Sequence, residues 1–253
     1  EDDWCYHYEW QKERRANLLE STVVNNELTN GQKITEPEES ALKELKPVLH
    51  NFGVNIEPLN KQTNKAGNII FTKKLLFDDG RVSNDKAFID FGSKDKYLKD
   101  SIGTIEYWFF VPLKTQVKAP ISGKVGVSYF EHTKDWGINI YPPGSEYIVS
   151  FEHLVNLNFK DGEIVNVGEI VGEAAPRVTF NYDIAMVELA VWKGGSNIFK
   201  FCPFDFLEES LKLEYTEKIN TLASEWEDFT GKDVYKQEEW VSPGCLVDMI
   251  VEV

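Results

Sequence analysis

From about Thr104 to Val191, apolar residues come in short or alternating runs, cut by glycine and proline at intervals too short for helices. The runs are Ile105–Leu113, Val117–Ala119, Gly123–Phe130, Gly137–Tyr141, Glu146–Phe151, Ile164–Val171 and Ile184–Val191. A period of two with regular turn residues predicts strands of an antiparallel sandwich or barrel. Within this stretch Asp161–Gly172 reads as a hairpin of two short strands, with Gly162 and Gly168 supplying turns of positive φ.

The flanks have a different pattern. Upstream, Trp4, Tyr6, Tyr8 and Trp10 alternate as a short strand would, and Lys12–Arg15 reads as a helix start. Asn25–Glu39 is loop-like. Pro37 suits an early helical position, and Leu42, Leu45, Val48 and Leu49 make a helical stripe ending near Asn51–Gly53. Polar turns between Asn55 and Lys99 separate strand-like runs at Ile69–Phe71 and Ala87–Phe91. Downstream, Leu211, Tyr215, Ile219, Leu222, Trp226 and Phe229 recur at helical spacing, and Tyr235–Val253 ends in a Pro-Gly turn and an apolar finish. The expected class is mainly β. It divides into an α+β N-terminal segment (1–100), a β domain (101–207) and a C-terminal helix with its tail (208–253).

Composition narrows the function. A chain of 253 residues, 42% hydrophobic, can bury a core without a metal or disulfide to hold it. With 27 basic and 42 acidic residues the net charge is −15, which argues against nucleic acid or an anionic membrane as partner. No run approaches a membrane-spanning length, and none reads as a signal peptide. The Trp and Tyr residues, Trp136, Trp192, Trp226 and Trp240 among them, are expected mostly in the core rather than as glycan platforms.

The four histidines are His7, His50, His132 and His153; the three cysteines are Cys5, Cys202 and Cys245. No Cys-x-x-Cys pair exists, so a thiolate zinc site is not expected. Cys5 and Cys245, near the two ends, are either bridged in an exported protein or free thiols.

Three segments stand in a telling order: Val111–Val125 with its Ala119-Pro120 and Gly123; Tyr147–Leu154 followed by Asp161–Gly172; and Ile184–Leu189 followed by Cys202–Leu207. Together they resemble the lysostaphin/LytM-type zinc metallopeptidases, which cut peptide cross-links in bacterial cell walls. The resemblance covers roughly residues 104–207 and implies a duplicated-hybrid-motif (barrel-sandwich) β domain. In that family a His and an Asp of a His-x-Gly-x-Asp motif, with the second His of a His-Leu-His-Phe-Glu strand, hold zinc. The first His of that strand and the His of a Tyr-x-His-Leu strand assist catalysis.

Most of this set is missing here. The paired histidines fall on Ile184 and Met186, and the His-x-Gly-x-Asp positions fall on Thr104 and Trp108, with Asp90 as a gapped match for the Asp. His153 and Glu188 alone match, as vestigial site residues. The resemblance therefore implies loss of zinc, with no metal site or cofactor, and a non-catalytic protein. It would bind cell-wall peptide, glycan or an envelope protein, in the periplasm or outside the cell. The alternative is an active hydrolase with a non-standard site built on His153 and carboxylates.

Other readings of the same residues are weaker. His153 also suits a packing histidine, and Glu188 a solvent-facing or structurally hydrogen-bonded acid. Glu152, Glu188 and Asp183 have no spacing that marks a glycosidase pair. Asp135 and Asn139, around Trp136-Gly137, mimic the metal motif but come in the wrong order, so they are not expected at the site. A phosphocarrier needs two active histidines, and a biotinyl or lipoyl carrier needs a lysine at its hairpin turn. Neither is present.

Overall fold

The computed structural model describes residues 45–76, 85–94, 103–176, 184–195 and 197–252. These belong to a unit spanning Glu44–Val253. The alternating runs become strands. β1 (Leu59–Asn60), β2 (Lys65–Ala66) and β3 (Ile69–Ile70) form a small antiparallel sheet. The remaining strands join one large sheet: β4 (Phe88–Ile89), β5 (Tyr107–Pro112), β6 (Gln116–Lys118), β7 (Gly123–Phe130), β8 (Asp135–Tyr141), β9 (Ile148–Val155), β10 (Ile164–Val165), β11 (Ile170–Ala174), β12 (Ile184–Lys193), β13 (Ile198–Phe201) and β14 (Met249–Glu252). Its main path is β10-β7-β8-β9-β12-β13-β14, with β5 also on β12, β4 on β5, and β11 linking β9 to β6. The protein is mainly β.

Burial explains the centre. β12 is buried along nearly its whole length, as a strand covered on both faces must be, and its sequence is almost continuously apolar. It pairs with β9 on one side and with β5 then β13 on the other. The hairpin turns form with Gly162 at φ 87° and Gly168 at φ 83°. No atom lies within 4 Å of where a Cβ would stand on Gly168, so the backbone angle rather than crowding requires glycine there.

The helical spacing after Leu211 produces α1 (Glu209–Thr230), the α-helix of the described residues, capped by Gly231 in the left-handed region. It buries Ile219, Leu222, Ala223 and Trp226. Trp226 packs edge-on to Phe71 at 5.2 Å, and its indole N–H donates to the Asp85 carbonyl at 2.6 Å.

The described part of the proposed first helix is not helical. Residues 45–53 run without a helical turn, with Leu49 bridging Leu207 and its N–H donating to the Phe206 carbonyl at 2.7 Å. Pro47 explains this, because it lacks an N–H and drives Lys46 away from helical angles. Leu45 and Val48 are exposed while Leu49 is buried, so the stripe never becomes a buried face. Residues 1–44, which hold the Trp4–Trp10 strand, Pro37, His7 and Cys5, lie outside the described residues.

The cysteine expectation is corrected too. Cys245 is joined to Cys202, across 43 residues, so it bridges neither to Cys5 nor stays a free thiol. The bond ties the end of β13 to the segment leading into β14, under the Tyr107 hydroxyl, which donates to the Pro243 carbonyl at 2.6 Å. Closing a loop of that length should stabilise the fold by about 4 kcal/mol on the chain-entropy account. We expect Cys245→Ser to lower the melting temperature by roughly 10 °C, measured by calorimetry without reductant. An unchanged melting temperature would show that the bond contributes nothing.

Candidate functional site: a buried charge cluster

The site is built by a slip in pairing between β8 and β9. Trp136 faces Leu154 and Ile138 faces Phe151, so two steps along β8 span three along β9. The extra residue is a β-bulge, and His153 sits in it with φ 62°, a left-handed angle that costs a non-glycine residue about 1 kcal/mol or more. Because the bulge breaks the alternation, Glu152 and His153 both reach Glu188, the direct partner of Glu152 on β12.

His153 is held at both ring nitrogens. Nδ1 lies 2.7 Å from Asp135 Oδ2, and Nε2 lies 3.3 Å from Glu188 Oε1. Asp135 is itself fixed by the Thr133 hydroxyl, which donates to Oδ1 at 2.6 Å. Asp135, His153 and Glu188 are all buried, and Glu152 is half-buried. The row continues into β5 and β13. Glu106, just before β5, accepts from the Lys200 ammonium at 3.1 Å, and both are buried.

These charges reset one another. Burial alone would lower the His153 pKa. Glu188 and Asp135, through charge and hydrogen bonds, more than reverse this and push it up to about 10. Glu152 rises to about 7 through burial and the charge of Glu188, against the pull of Lys200. Glu106 stands well above the usual carboxylate range: burial raises it, Lys200 opposes, and Glu152 and Glu188 raise it further. At neutral pH His153 is a held imidazolium, unsuited to accept a proton from water.

The structure brings together His153 and Glu188, and adds Asp135, Glu106 and Lys200 to them. Asp135, rejected on motif order, is the His153 partner, because register rather than order decides which side chains meet. No motif marks Glu106 or Lys200. The one available signal was a lone charge inside an apolar run, as at Ile198-Phe-Lys-Phe201. Asp90 belongs elsewhere: it pairs with Lys86 and accepts from the Trp240 indole at 3.1 Å. His50 pairs with Glu208 at 2.8 Å, and Asp183 lies outside the described residues.

The zinc set implied by the resemblance does not fit these residues. Ile184 and Met186 stand where two imidazoles are needed, and are 2% and 1% exposed. The described residues do contain a trio, Glu152, His153 and Glu188, whose donor atoms lie within 4.8 Å of one another. Its single imidazole is already engaged by carboxylates at both nitrogens, and a lysine ammonium reaches the neighbouring Glu106.

The raised His153 pKa makes stability depend on pH. Its folded value lies above the unfolded value near 6.5, so the contribution is complete below about pH 6.5 and is lost as pH rises through about 10. The swing is on the order of 5 kcal/mol. We expect the urea midpoint to fall steadily between these limits, and His153→Gln to flatten the slope. A wild-type midpoint constant over that range would contradict the assignment.

No family model matches the chain, and no curated protein does. Solved structures are similar over part of it. LytU aligns with 42% of this chain and 72% of its own, at 26% identity and TM-score 0.37. A mutant catalytic domain of the prophage-encoded protein EnpA from Enterococcus faecalis aligns with 43% and 82%, at 20% identity and TM-score 0.35. Lysostaphin from Staphylococcus simulans, an antimicrobial peptidase, aligns with 42% of this chain and 42% of its own, at 20% identity and TM-score 0.36. This chain therefore spans under half of lysostaphin. In fold, it resembles LytM/lysostaphin-type peptidases over less than half of its length.

Proposed function

We propose that this chain is a non-catalytic protein of the LytM/lysostaphin type that acts in the cell envelope by binding. The observation that carries the reading is the filled centre. Apolar Ile184 and Met186 are buried where the family's motif places its histidine pair, and the surviving His153 is tied at both nitrogens. Hydrolysis of a peptide bond needs an activated water and a group free to take its proton, and a buried imidazolium supplies neither.

The ligand is wall peptide, glycan or an envelope protein. A filled centre leaves binding to the rim, which favours a protein partner over a peptide threaded through the site. The exposed pair Tyr129 and Trp136, with rings 4.7 Å apart on β7 and β8, offers an aromatic surface for such a partner on the sheet face opposite Asp135. The Cys202–Cys245 disulfide supports an oxidising compartment, periplasmic or extracellular.

A second reading keeps an active hydrolase with a non-standard site, and the observation on its side is the Glu152, His153 and Glu188 trio. Incubation with purified cross-linked wall fragments separates the two. We expect no release of new amino termini above the protein-free control, with or without added zinc. Release that stops with a chelator and with His153→Ala would establish the hydrolase. Co-sedimentation in the same assay assigns the ligand: retention on the wall marks peptide or glycan, and its absence leaves an envelope protein.

A further inference from the structure

We propose that Lys200 is the resident cation of this site, an ammonium supplied by β13 that stands in for a metal ion among Glu106, Glu152 and Glu188 and keeps divalent metal out. The placement rests on pairing. Lys200 faces Trp192 on β12, and Glu188 lies four residues earlier on the same strand and so on the same face. Glu106, next along from the Tyr107–Leu189 pair, completes the row. Lys200 Nζ donates to Glu106 Oε1 at 3.1 Å and lies 5.6 Å from the centre of the Trp192 ring. The Trp192 indole in turn donates to the Ser150 hydroxyl at 3.1 Å, which fixes the ring under the ammonium.

Buried carboxylates demand positive charge close by, because neither water nor bulk ions can screen them. A metal ion would meet that demand with two charges, and a lysine meets part of it with one. The lysine has the advantage of being tethered, so it loses no translational freedom on arrival. Its charge acts on both Glu106 and Glu152, lowering the proton affinity that burial raises. A divalent ion entering among these carboxylates would have to meet this ammonium and the His153 imidazolium together. The expected result is a site rich in oxygen donors that is nonetheless closed to metal.

The test is calorimetric titration of zinc chloride into chelator-treated protein, paired with melting temperatures with and without zinc. We expect wild type and Lys200→Arg to take up no zinc at the site and to show no thermal shift. Lys200→Met, which keeps the length of the stem and removes the charge, should take up about one equivalent and melt higher with zinc. That uptake should vanish in Lys200→Met combined with Glu188→Gln. Zinc bound by wild type and lost on Glu188→Gln would overturn the inference, as would a folded Lys200→Met chain that ignores zinc. A Lys200→Met chain that folds only with zinc supports it, and one that folds neither with nor without zinc overturns it. The inference rests on the non-catalytic reading, yet the two fail separately. Zinc uptake by wild type without cleavage of wall fragments sinks only the resident cation, whereas cleavage sinks the non-catalytic reading.

Discussion

Placing Glu106, Asp135, Glu152 and Glu188 on and beside the central strands of a sheet imposes neutrality as the governing constraint on this protein. Each carboxylate buried without a partner would cost several kcal/mol, more than most single contacts return. The cluster meets the demand internally, with the His153 imidazolium between Asp135 and Glu188, the Lys200 ammonium beside Glu106, and proton affinities raised by burial on both Glu106 and Glu152. The groups are interdependent. Removing either cation leaves its neighbours uncompensated, and so the cluster behaves as one unit rather than as separable ion pairs.

Backbone geometry makes the cluster possible. In regular pairing Glu152 and His153 would face opposite sides of β9, and only one could meet Glu188. The bulge opposite Trp136–Ile138 turns both inward at the expense of a left-handed His153. Hydrogen bonds to Asp135 and Glu188 hold that angle in place. The strain and the charge network therefore support each other, and this is the kind of local conflict that marks a functional site or the remains of one.

How much of this the sequence discloses depends on whether a feature is local. Strand positions follow from alternation and glycine spacing, so Gly123–Phe130 and the Gly162 and Gly168 turns were legible to the residue. The 42–53 stripe misleads because spacing shows where apolar residues are, not whether one partner covers them all; Pro47 was the local contradiction to it. His153 and Glu188 could be found by motif. Asp135 and Lys200 could not, because their roles arise from register across β8, β9, β12 and β13, which no single segment encodes. The Cys202–Cys245 pairing is equally non-local.

The disulfide and the charge cluster are not independent features. Lys200 lies two residues before Cys202, on a strand whose other neighbour is β14, and the bond fixes where that strand ends. A lysine serves as a fixed cation only if its strand cannot slip, since a one-residue shift would turn it to the opposite face and leave Glu106 alone in the interior. A covalent tie beside it removes that freedom. A metal ion needs no such tie, because its ligands are drawn in by the ion itself. Exchanging an ion for a side chain thus moves the burden of holding the site together from coordination to strand register, and the bridge from β13 to the approach of β14 is where this fold carries it.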